Sequence, residues 1–349
     1  MDKYSIVAPQ SRGVIIERLG ELYLNVGDYL DLERLEGRYM QYSKIFLSDA
    51  QNQYDELIDS VLYQEILSKS ANTIVEQPPL DGSKISVLIK TSDAAGDFFF
   101  QSMRLTDEET RGKNSYIQTI QLFDRYMKSL QKRGLSIKEH CVRTWIYVAD
   151  IDVNYEGMVK ARNDIFHQYG LTADTHFIAS TGIGGYSHVR NASVAIDFLT
   201  YPNIMECDKT YLKALGNLNP THEYGVSFER GTCLKHNDHQ TIFISGTASI
   251  DNTGAVVYPG DVIRQAGRLL ENIGALLKDG GATMNDIGYF IVYLRDISDY
   301  MSIARFMGMA YPAIPYVIVE AKVCRPEWLI EMECVATPLS STLAKGKAI

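Results

Sequence analysis

The chain has 349 residues, of which 46% are hydrophobic and 22% charged, and its formal net charge is −9. This composition is ordinary for a globular protein, and because a single core rarely grows past about 250–300 residues, it predicts several packed units. The acidic balance argues against a nucleic-acid-binding surface.

The five cysteines form no CxxC pair and show no metal-ligand spacing, which predicts the reduced thiols of a cytoplasmic protein. The first residues lack the apolar segment of a signal peptide, and no stretch approaches the ~20 apolar residues of a membrane span. We therefore expect a soluble cytoplasmic protein without a membrane or nucleic-acid partner.

Three stretches of the chain share one order of predicted elements: an apolar strand, an acidic turn and an amphipathic helix. They cover residues 43–67, 143–166 and 289–312, and their strands end in Asp49, Asp150 and Asp296. A strand, a loop and a second strand follow each helix, over 73–92, 176–201 and 316–336. The same order occurring three times predicts an internal repeat.

The second and third stretches are each preceded by a further amphipathic helix, over 115–140 and 260–287. These helices end on glycines that suit the position after a helix, Gly134 in one and Gly280 or Gly281 in the other. The runs FFFQSMRLTD and TIFISGTASIDNTG come before them and predict an opening hairpin. The first stretch has a shortened front without an equally clear glycine stop.

Each unit is therefore predicted to be β-β-α-β-α-β-β, an α/β (α+β) arrangement with helices on one face of a mixed sheet. We expect a degenerate unit at 1–94, a second at 95–205, a C-terminal unit carrying the active site at 206–340, and a flexible tail at 341–349. Three sheets that bury their free faces around a central axis would form a pseudo-trimeric ring with three clefts.

The third unit carries a specific likeness. The run FISGTASID, the segment 260–300, YPAIPYVIVEAKV and IEMECVA resemble the YjgF/Rid superfamily from end to end. The resemblance is strong over 240–338, moderate over 96–201 and weak over 10–92. The superfamily forms homotrimers with ligand sites between subunits, so the resemblance implies three fused subunits and a monomeric protein.

Two functional branches of the superfamily differ at one segment. In the imine-deaminase branch, a YPAR-type segment supplies an arginine for the substrate carboxylate, whereas this sequence has YPAIP with Ile314 at that place. Without that cation the carboxylate would lose a charge-assisted hydrogen bond worth roughly 1.5–3 kcal/mol. Imine hydrolysis is therefore disfavoured.

The other branch, the chorismatases, consists of long single chains that hydrolyse chorismate to pyruvate and a ring acid. The chain length, the ASTGIGG loop at 179–185, YGVSFERGTC at 224–233 and CRPEWLIEME at 324–333 resemble this group. The resemblance implies a hydrolase for a small-molecule carboxylate, without metal or nucleotide cofactor, that releases a hydroxybenzoate or a dihydroxycyclohexadiene carboxylate. The alternatives are a Rid-like imine deaminase and a non-catalytic metabolite-binding protein.

Glu331 is the predicted proton donor. Enol-ether cleavage needs a proton delivered to the vinyl methylene, and a carboxylic acid can supply it if burial keeps it protonated. Glu331 and Glu333 alternate with apolar residues on one strand, so both carboxyl groups point to the same face. Rid-like proteins carry an acidic pair here whose first member faces the ligand cleft. The alternative is the solvated face of an edge strand.

Cys324 and Ala248 resemble two positions that determine the product in chorismatases. Cysteine at the first position goes with hydroxybenzoate formation, whereas alanine at the second fits the diene-forming type better. The two residues conflict, so the product stays open. Cys324 has the alternative role of a small buried hydrophobe.

Chorismate has two carboxylates, so at least two arginines should face the cleft. Arg230 is the first candidate, and Arg162 and Arg325 are further candidates that could equally be solvated surface charges. Tyr224 would hydrogen-bond the ring hydroxyl or fill the core. Gly182 lies in a glycine-rich loop that does not open a helix, which argues against a nucleotide and leaves backbone approach to a carboxylate or a tight turn.

The segment KHNDHQ contains His236 and His239, three residues apart. The sequence offers no third ligand nearby, so we predict a hydrophilic hairpin tip rather than a metal site.

Overall fold

A computed structural model describes residues 1–94 and 96–339. Its strands form three sheets of four, four and six strands, and each sheet is built from a consecutive stretch of the chain. The predicted tandem α+β repeat is thereby confirmed. The exact boundaries of the units stay a prediction, and the predicted tail at 341–349 lies outside the described residues.

The first sheet and its helices extend from Lys3 to Ser92. In chain order the elements are β1 (Lys3–Val7), α1 (Ile15–Leu35), β2 (Tyr39–Leu47), α2 (Ala50–Ile58), β3 (Ala71–Glu76) and β4 (Ile85–Ser92). The strand order is β1-β4-β2-β3, in which only β2 and β3 pair in parallel. Helix α1 ends before Gly37, whose φ of 74° provides the glycine stop that the sequence pattern did not make clear.

The second sheet and its helices extend from Phe99 to Thr200. The elements are β5 (Phe99–Met103), α3 (Asp107–Thr110), α4 (Ser115–Gln131), α5 (Ile137–His140), β6 (Cys141–Val148), α6 (Ile151–Gln168), β7 (Ala179–Gly184) and β8 (Val194–Thr200). The strand order is β5-β8-β6-β7. The described residues open on one strand instead of the predicted hairpin, because Thr106 and Glu109 form a capping box that starts helix α3.

The third sheet is the largest and contains the predicted opening hairpin. The elements are β9 (Lys209–Leu212), β10 (Gly231–Lys235), β11 (Gln240–Ala248), α7 (Val262–Asp279), β12 (Ile287–Leu294), α8 (Tyr300–Ala310), β13 (Tyr316–Glu320) and β14 (Ile330–Ala336). The strand order is β13-β12-β14-β11-β10-β9. His236 and His239 lie in the tip between β10 and β11, as predicted. Compared with this third segment, the first and second segments have fewer strands before their first helix.

Backbone hydrogen bonds join the three segments into a closed ring. Glu76 and Tyr186 exchange two bonds of 2.8 and 3.1 Å between the first and second segments, and Gly184 N donates to Lys322 O at 2.9 Å between the second and third. Leu80 N donates to Ile318 O at 3.0 Å and returns the ring from the third segment to the first. Each segment therefore pairs with the next, as the pseudo-trimeric arrangement requires.

The inner faces of the three sheets share one hydrophobic core. Its members include Phe46 of β2, Trp145 of β6 and Tyr289 of β12, all 1% exposed or less. Separate clusters lie under the helices of the first and second segments. The five cysteines are free thiols, and among the helices of the described residues none combines the length and apolarity needed to cross a membrane.

The close approach at Gly184 yields a stability prediction. A Cβ there would lie 2.8 Å from Lys322 N and 2.9 Å from Lys322 O, which are backbone atoms of the ring-closing contact. We expect Gly184→Ala to lower the free energy of unfolding by roughly 1–3 kcal/mol, measured by urea denaturation. Gly267→Ala in α7 is the matched control, because its Cβ would meet nothing within 4 Å. Equal stability of the two variants would contradict the prediction.

Candidate active site

A single cavity between the second and third segments is lined by every predicted site residue. Its volume of about 160 Å³ leaves room for a small organic molecule rather than for one or two waters. The predicted residues in its wall are Arg162, Gly182, Tyr224, Arg230, Ala248, Cys324, Arg325 and Glu331. The structure thus brings together residues from two sheets and the segments between their strands.

Two acidic residues of β14 lie side by side in the interior, on the same face of the strand, as the alternation predicts. Glu331 is opposite Ala248 of β11 and Tyr293 of β12, and Glu333 is opposite Ile291. The two residues are 5% and 1% exposed, so this is a buried strand and not a solvated edge.

Three donors hold the Glu333 carboxylate. Arg143 Nη2 donates at 2.8 Å, Trp145 Nε1 donates at 2.7 Å, and the hydroxyl of Thr181 donates to the same oxygen as Arg143. Arg143 and Glu333 form an ion pair in which both side chains are 2% exposed. Because these donors occupy both oxygens, Glu333 is a structural anion and is poorly placed to bind a ligand.

The Glu331 carboxyl faces the cavity instead. It lies over Gly246, where a Cβ atom would overlap Glu331 Oε1, so glycine leaves the space that the carboxyl occupies. Within the described part of the chain it accepts no hydrogen bond. Burial, reinforced by the negative charge of Glu333, raises the pKa of Glu331 to about 8, although the positive charges of Arg143 and Arg230 oppose the shift. The group is therefore protonated at neutral pH and can donate a proton.

The other two segments have no carboxyl at the corresponding place. Glu331 is opposite Tyr293 in the third sheet. Tyr293 corresponds to Phe46 in the first sheet and to Tyr147 in the second, and the residues opposite these two are Ser86 and Ala195. An acid at this position therefore occurs in the third segment alone.

An arginine also fills the cleft between the first and second segments. Arg104 directly follows β5. When the β5–β8 register is continued by one residue, Arg104 is opposite Ala195, just as Ala248 is opposite Glu331. Its guanidinium pairs with Asp197 at 3.0 Å and donates to Thr73 Oγ1 at 2.7 Å. Alanine leaves the equivalent space open in the cavity beside Glu331.

Cations and aromatic rings alternate along the cavity wall. The ring centre of Phe228 is 5.9 and 5.5 Å from the guanidinium carbons of Arg162 and Arg230. The ring centre of Tyr224 is 5.4 and 5.1 Å from those of Arg230 and Arg325. These distances are within the range of cation–π attraction, so the two rings stabilise the three positive charges.

The three arginines differ in how many of their donors are used. Arg162 is 2% exposed, yet its Nε and Nη2 have no partner among the described residues. Arg230 donates Nε and Nη2 to Asn219, and Arg325 donates Nη1 to Gly254 O at 3.3 Å. A buried guanidinium without acceptors is costly, so Arg162 is the group of this site most in need of an anion.

Cys324 and Ala248 lie in the same wall as Glu331. Burial raises the pKa of the Cys324 thiol to about 12, and the charge of Glu331 adds to the shift. The thiol is therefore neutral at pH 7 and contributes size and shape to the cavity rather than a thiolate nucleophile.

The prediction of a loop over residues 179–185 is wrong. Residues 179–184 form β7, which pairs in parallel with β6 and so satisfies the backbone. Gly182 lies in this strand, where a Cβ would make an ordinary contact of 3.5 Å with the ring of Tyr155.

Sequence reasoning missed several residues of the wall. They are Tyr155, Ser180, Val226, Phe228, Gly246, Ile250 and Trp328. Tyr155 is seven residues before Arg162 on α6, so the two lie on one face, and this spacing is a pattern that could have identified it. The contacts of Phe228 and Trp328 depend on loop conformations that no periodicity describes.

Comparison with known proteins assigns the third segment to a family. Residues 233–338 match the family model described as Endoribonuclease L-PSP. A RutC family protein of Pyrococcus abyssi is 35% identical over 99 residues, which are 27% of this chain and 76% of that relative. This chain belongs to the RutC family. The 3-aminoacrylate deaminase RutC of Acinetobacter baylyi is 29% identical over 97 residues, 27% of this chain and 77% of the relative.

The similarity of this RutC-family chain extends further in three dimensions. A crystal structure of a chorismatase superposes with a TM-score of 0.68 at 17% identity, over 96% of this chain and 98% of the other. At that identity the likeness concerns the fold. The YjgF/Rid assignment is confirmed, and 96% of the chain shares the fold of a chorismatase.

The raised pKa of Glu331 predicts a pH dependence of stability. The folded state binds this proton more tightly than the unfolded state, whose reference pKa is 4.5. The resulting stabilisation is complete below pH 4.5 and is lost as the pH rises through about 8. Relative to Glu331→Gln, we expect the free energy of unfolding of the wild type to fall by up to ~4 kcal/mol across this interval.

Urea denaturation at a series of pH values measures this difference. Glu320→Gln is the matched control, because Glu320 is exposed. A difference between wild type and Glu331→Gln that stays constant from pH 5 to pH 9 would show that the Glu331 carboxyl has an ordinary pKa.

Proposed function

We propose that the protein is a chorismatase-type hydrolase that cleaves the enol ether of chorismate to pyruvate and a ring carboxylate. One observation carries the proposal: a buried arginine with two donors unpaired among the described residues and a buried carboxyl lie in the wall of the same cavity. A substrate with carboxylates and an acid-labile enol ether matches both groups. Chorismate has two carboxylates and one enol ether.

The arginines divide the cavity into two anion-binding sides. Arg162 on α6 lines the cavity and would donate to one carboxylate, because its planar guanidinium suits bidentate hydrogen bonding. Arg230 and Arg325, whose guanidinium carbons are 5.4 and 5.1 Å from the centre of the Tyr224 ring, would bind the other carboxylate. Their positive charges would attract a dianion into a site whose carboxyl group is neutral.

The chemical step begins with proton transfer. Glu331 gives its proton to the vinyl methylene carbon, where a C–H bond forms from the π electrons and an oxocarbenium ion results. Water adds to that cation and returns a proton to the Glu331 carboxylate, leaving a hemiketal. Collapse of the hemiketal breaks the bond to the ring oxygen and gives pyruvate and the ring alcohol, with one water consumed.

Glu333 supports this step without exchanging a proton. Its carboxylate is held by Arg143, Trp145 and Thr181, and its charge helps to keep the neighbouring carboxyl protonated. The same negative charge would stabilise the developing oxocarbenium ion, because electrostatic interactions are strong in a buried site.

Cys324 and Ala248 would decide the fate of the ring. If the intermediate is captured by water, a dihydroxycyclohexadiene carboxylate leaves; if the ring instead loses the elements of water overall, a hydroxybenzoate leaves. Both side chains line the cavity beside Glu331, so each can influence where water and the ring lie. The product is an outcome of the assay described next.

The comparisons support a chorismatase more than an imine deaminase. The fold likeness to a chorismatase extends over 96% of this chain, whereas the match to the deaminase RutC covers 27%. Ile314 stands where the deaminase branch is expected to have its carboxylate-binding arginine, and it packs against the hydrophobic core. We therefore do not propose imine hydrolysis.

The decisive test is pyruvate release from chorismate, followed with a coupled dehydrogenase and chromatography of the ring product. We expect Glu331→Gln to lower kcat by roughly 10²–10⁴-fold, because it removes the general acid. Glu320→Gln should keep wild-type activity. No pyruvate above the spontaneous background from the wild type would overturn the proposal and favour a non-catalytic binding protein.

Arg162 allows a test of substrate binding. Arg162→Gln removes the charge, and we expect KM for chorismate to rise at least about tenfold, the lower range for a hydrogen bond to a charged group. Arg305→Gln on α8 is the matched control, because Arg305 is exposed. An unchanged KM in a folded Arg162→Gln variant would exclude Arg162 from carboxylate binding.

A further inference from the structure

The middle arginine of the cavity wall is fixed by a residue outside the cavity. Arg230 donates Nε and Nη2 to the backbone oxygen of Asn219 at 3.3 and 3.0 Å, and Nη2 also donates to Asn219 Oδ1 at 3.2 Å. Both residues are 6% exposed. Asn219 is absent from the cavity lining, so any effect on a ligand must pass through Arg230.

A tight turn connects this anchor to the second arginine. Gly254 has a φ of 79°, and a Cβ there would lie 2.8 Å from Asn219 Nδ2. The carbonyl of Gly254 accepts the hydrogen bond from Arg325 Nη1. Asp251 Oδ1 fixes the turn by accepting from the backbone N–H of Ala255 at 3.1 Å. Asn219 and Gly254 thus connect the guanidinium groups of Arg230 and Arg325.

The two guanidinium groups need such a connection. Their guanidinium carbons are 5.4 and 5.1 Å from the centre of the same Tyr224 ring, and their like charges repel each other. An unanchored arginine side chain has many rotamers, and one with few acceptors would turn toward any available oxygen. The anchor uses Nε and Nη2 of Arg230, which leaves Nη1 for a ligand.

We propose that Asn219 is a positioning residue for anion binding. Together with Gly254 it sets the spacing and direction of Arg230 and Arg325, and thereby the position of the one ligand carboxylate that these two arginines bind. The identity of the ligand, chorismate, rests on the function proposed above. The effect is on binding, since neither Asn219 nor Gly254 lines the cavity that contains Glu331.

Calorimetric titration with chorismate in a Glu331→Gln background measures binding without turnover. The variants to compare are Asn219→Leu, which removes the amide acceptor at similar size, and Asn219→Asp, which keeps an acceptor but adds a negative charge. Asn252→Leu is the matched control, because Asn252 is exposed and lies in the turn that contains Gly254.

We expect Asn219→Leu to weaken chorismate binding about tenfold or more. Asn219→Asp should also weaken it, because the new carboxylate neutralises Arg230, and Asn252→Leu should not. A purely structural role of Asn219 would lower the free energy of unfolding of Asn219→Leu and leave its chorismate affinity equal to that of its Glu331→Gln parent. In the active background, KM should rise for Asn219→Leu with kcat within about twofold, the pattern of lost uniform binding.

Three outcomes separate the inference from the function on which it rests. Unchanged affinity in a folded Asn219→Leu variant overturns the positioning role and leaves the proposed function intact. Absence of both chorismate binding and pyruvate release in the parent proteins overturns the function and the inference together. If Asn219→Leu does not fold, Gly254→Ala disturbs the same contact from the other side, and unchanged affinity there overturns the positioning role.

Discussion

The buried ion pair between Arg143 and Glu333 is the interaction on which the site depends. It joins β6 of the second segment to β14 of the third, in a region where both side chains are 2% exposed. Removing one partner of such a pair typically costs about 3–5 kcal/mol, because an uncompensated charge stays in the interior. Thr181 and Trp145 also donate to Glu333, so the pair fixes the two sheets that form the walls of the cavity. Charge and hydrogen bonds hold this junction together. Side chains therefore need not fill the space between the two sheets, and the cavity can stay open.

The same pair determines the chemistry of its neighbour. Glu331 lies two residues from Glu333 on the same face, and the fixed negative charge adds to burial in holding the Glu331 proton. The corresponding positions elsewhere explain why the arrangement occurs once. Leu88 occupies the place of Glu333 in the first segment, and Asp197 occupies it in the second. Asp197 pairs with Arg104, whose side chain fills that cleft, so the charge there is used to close the space.

Features of the fold and the site that depend on local periodicity could be predicted from the sequence. Alternation along β14 is enough to place Glu331 and Glu333 on one face, and the repeated order of strands and helices is enough to predict three units. It did not predict that 179–184 is a strand, because the glycines of this segment indicated a loop, whereas Gly184 is required by the Lys322 backbone, which comes from a distant part of the chain. The roles of Arg104 and Asn219 were missed for a related reason: each is defined by a partner in another element, and the residues next to it in the sequence do not identify that partner.

Fusing the units in one chain explains how a site so costly in free energy can form. The cavity holds two buried arginines and one half-buried arginine around a neutral carboxyl, and removing such charges from water costs free energy in the empty protein. In a homotrimer every substitution is repeated three times, so the same burden would fall on each interface. Here the segment between β9 and β10 supplies Tyr224, Phe228 and Arg230, whereas the junction between the first and second segments is closed by the Arg104–Asp197 pair and by backbone pairing. One interface can then carry the costly site while the other two hold the ring together.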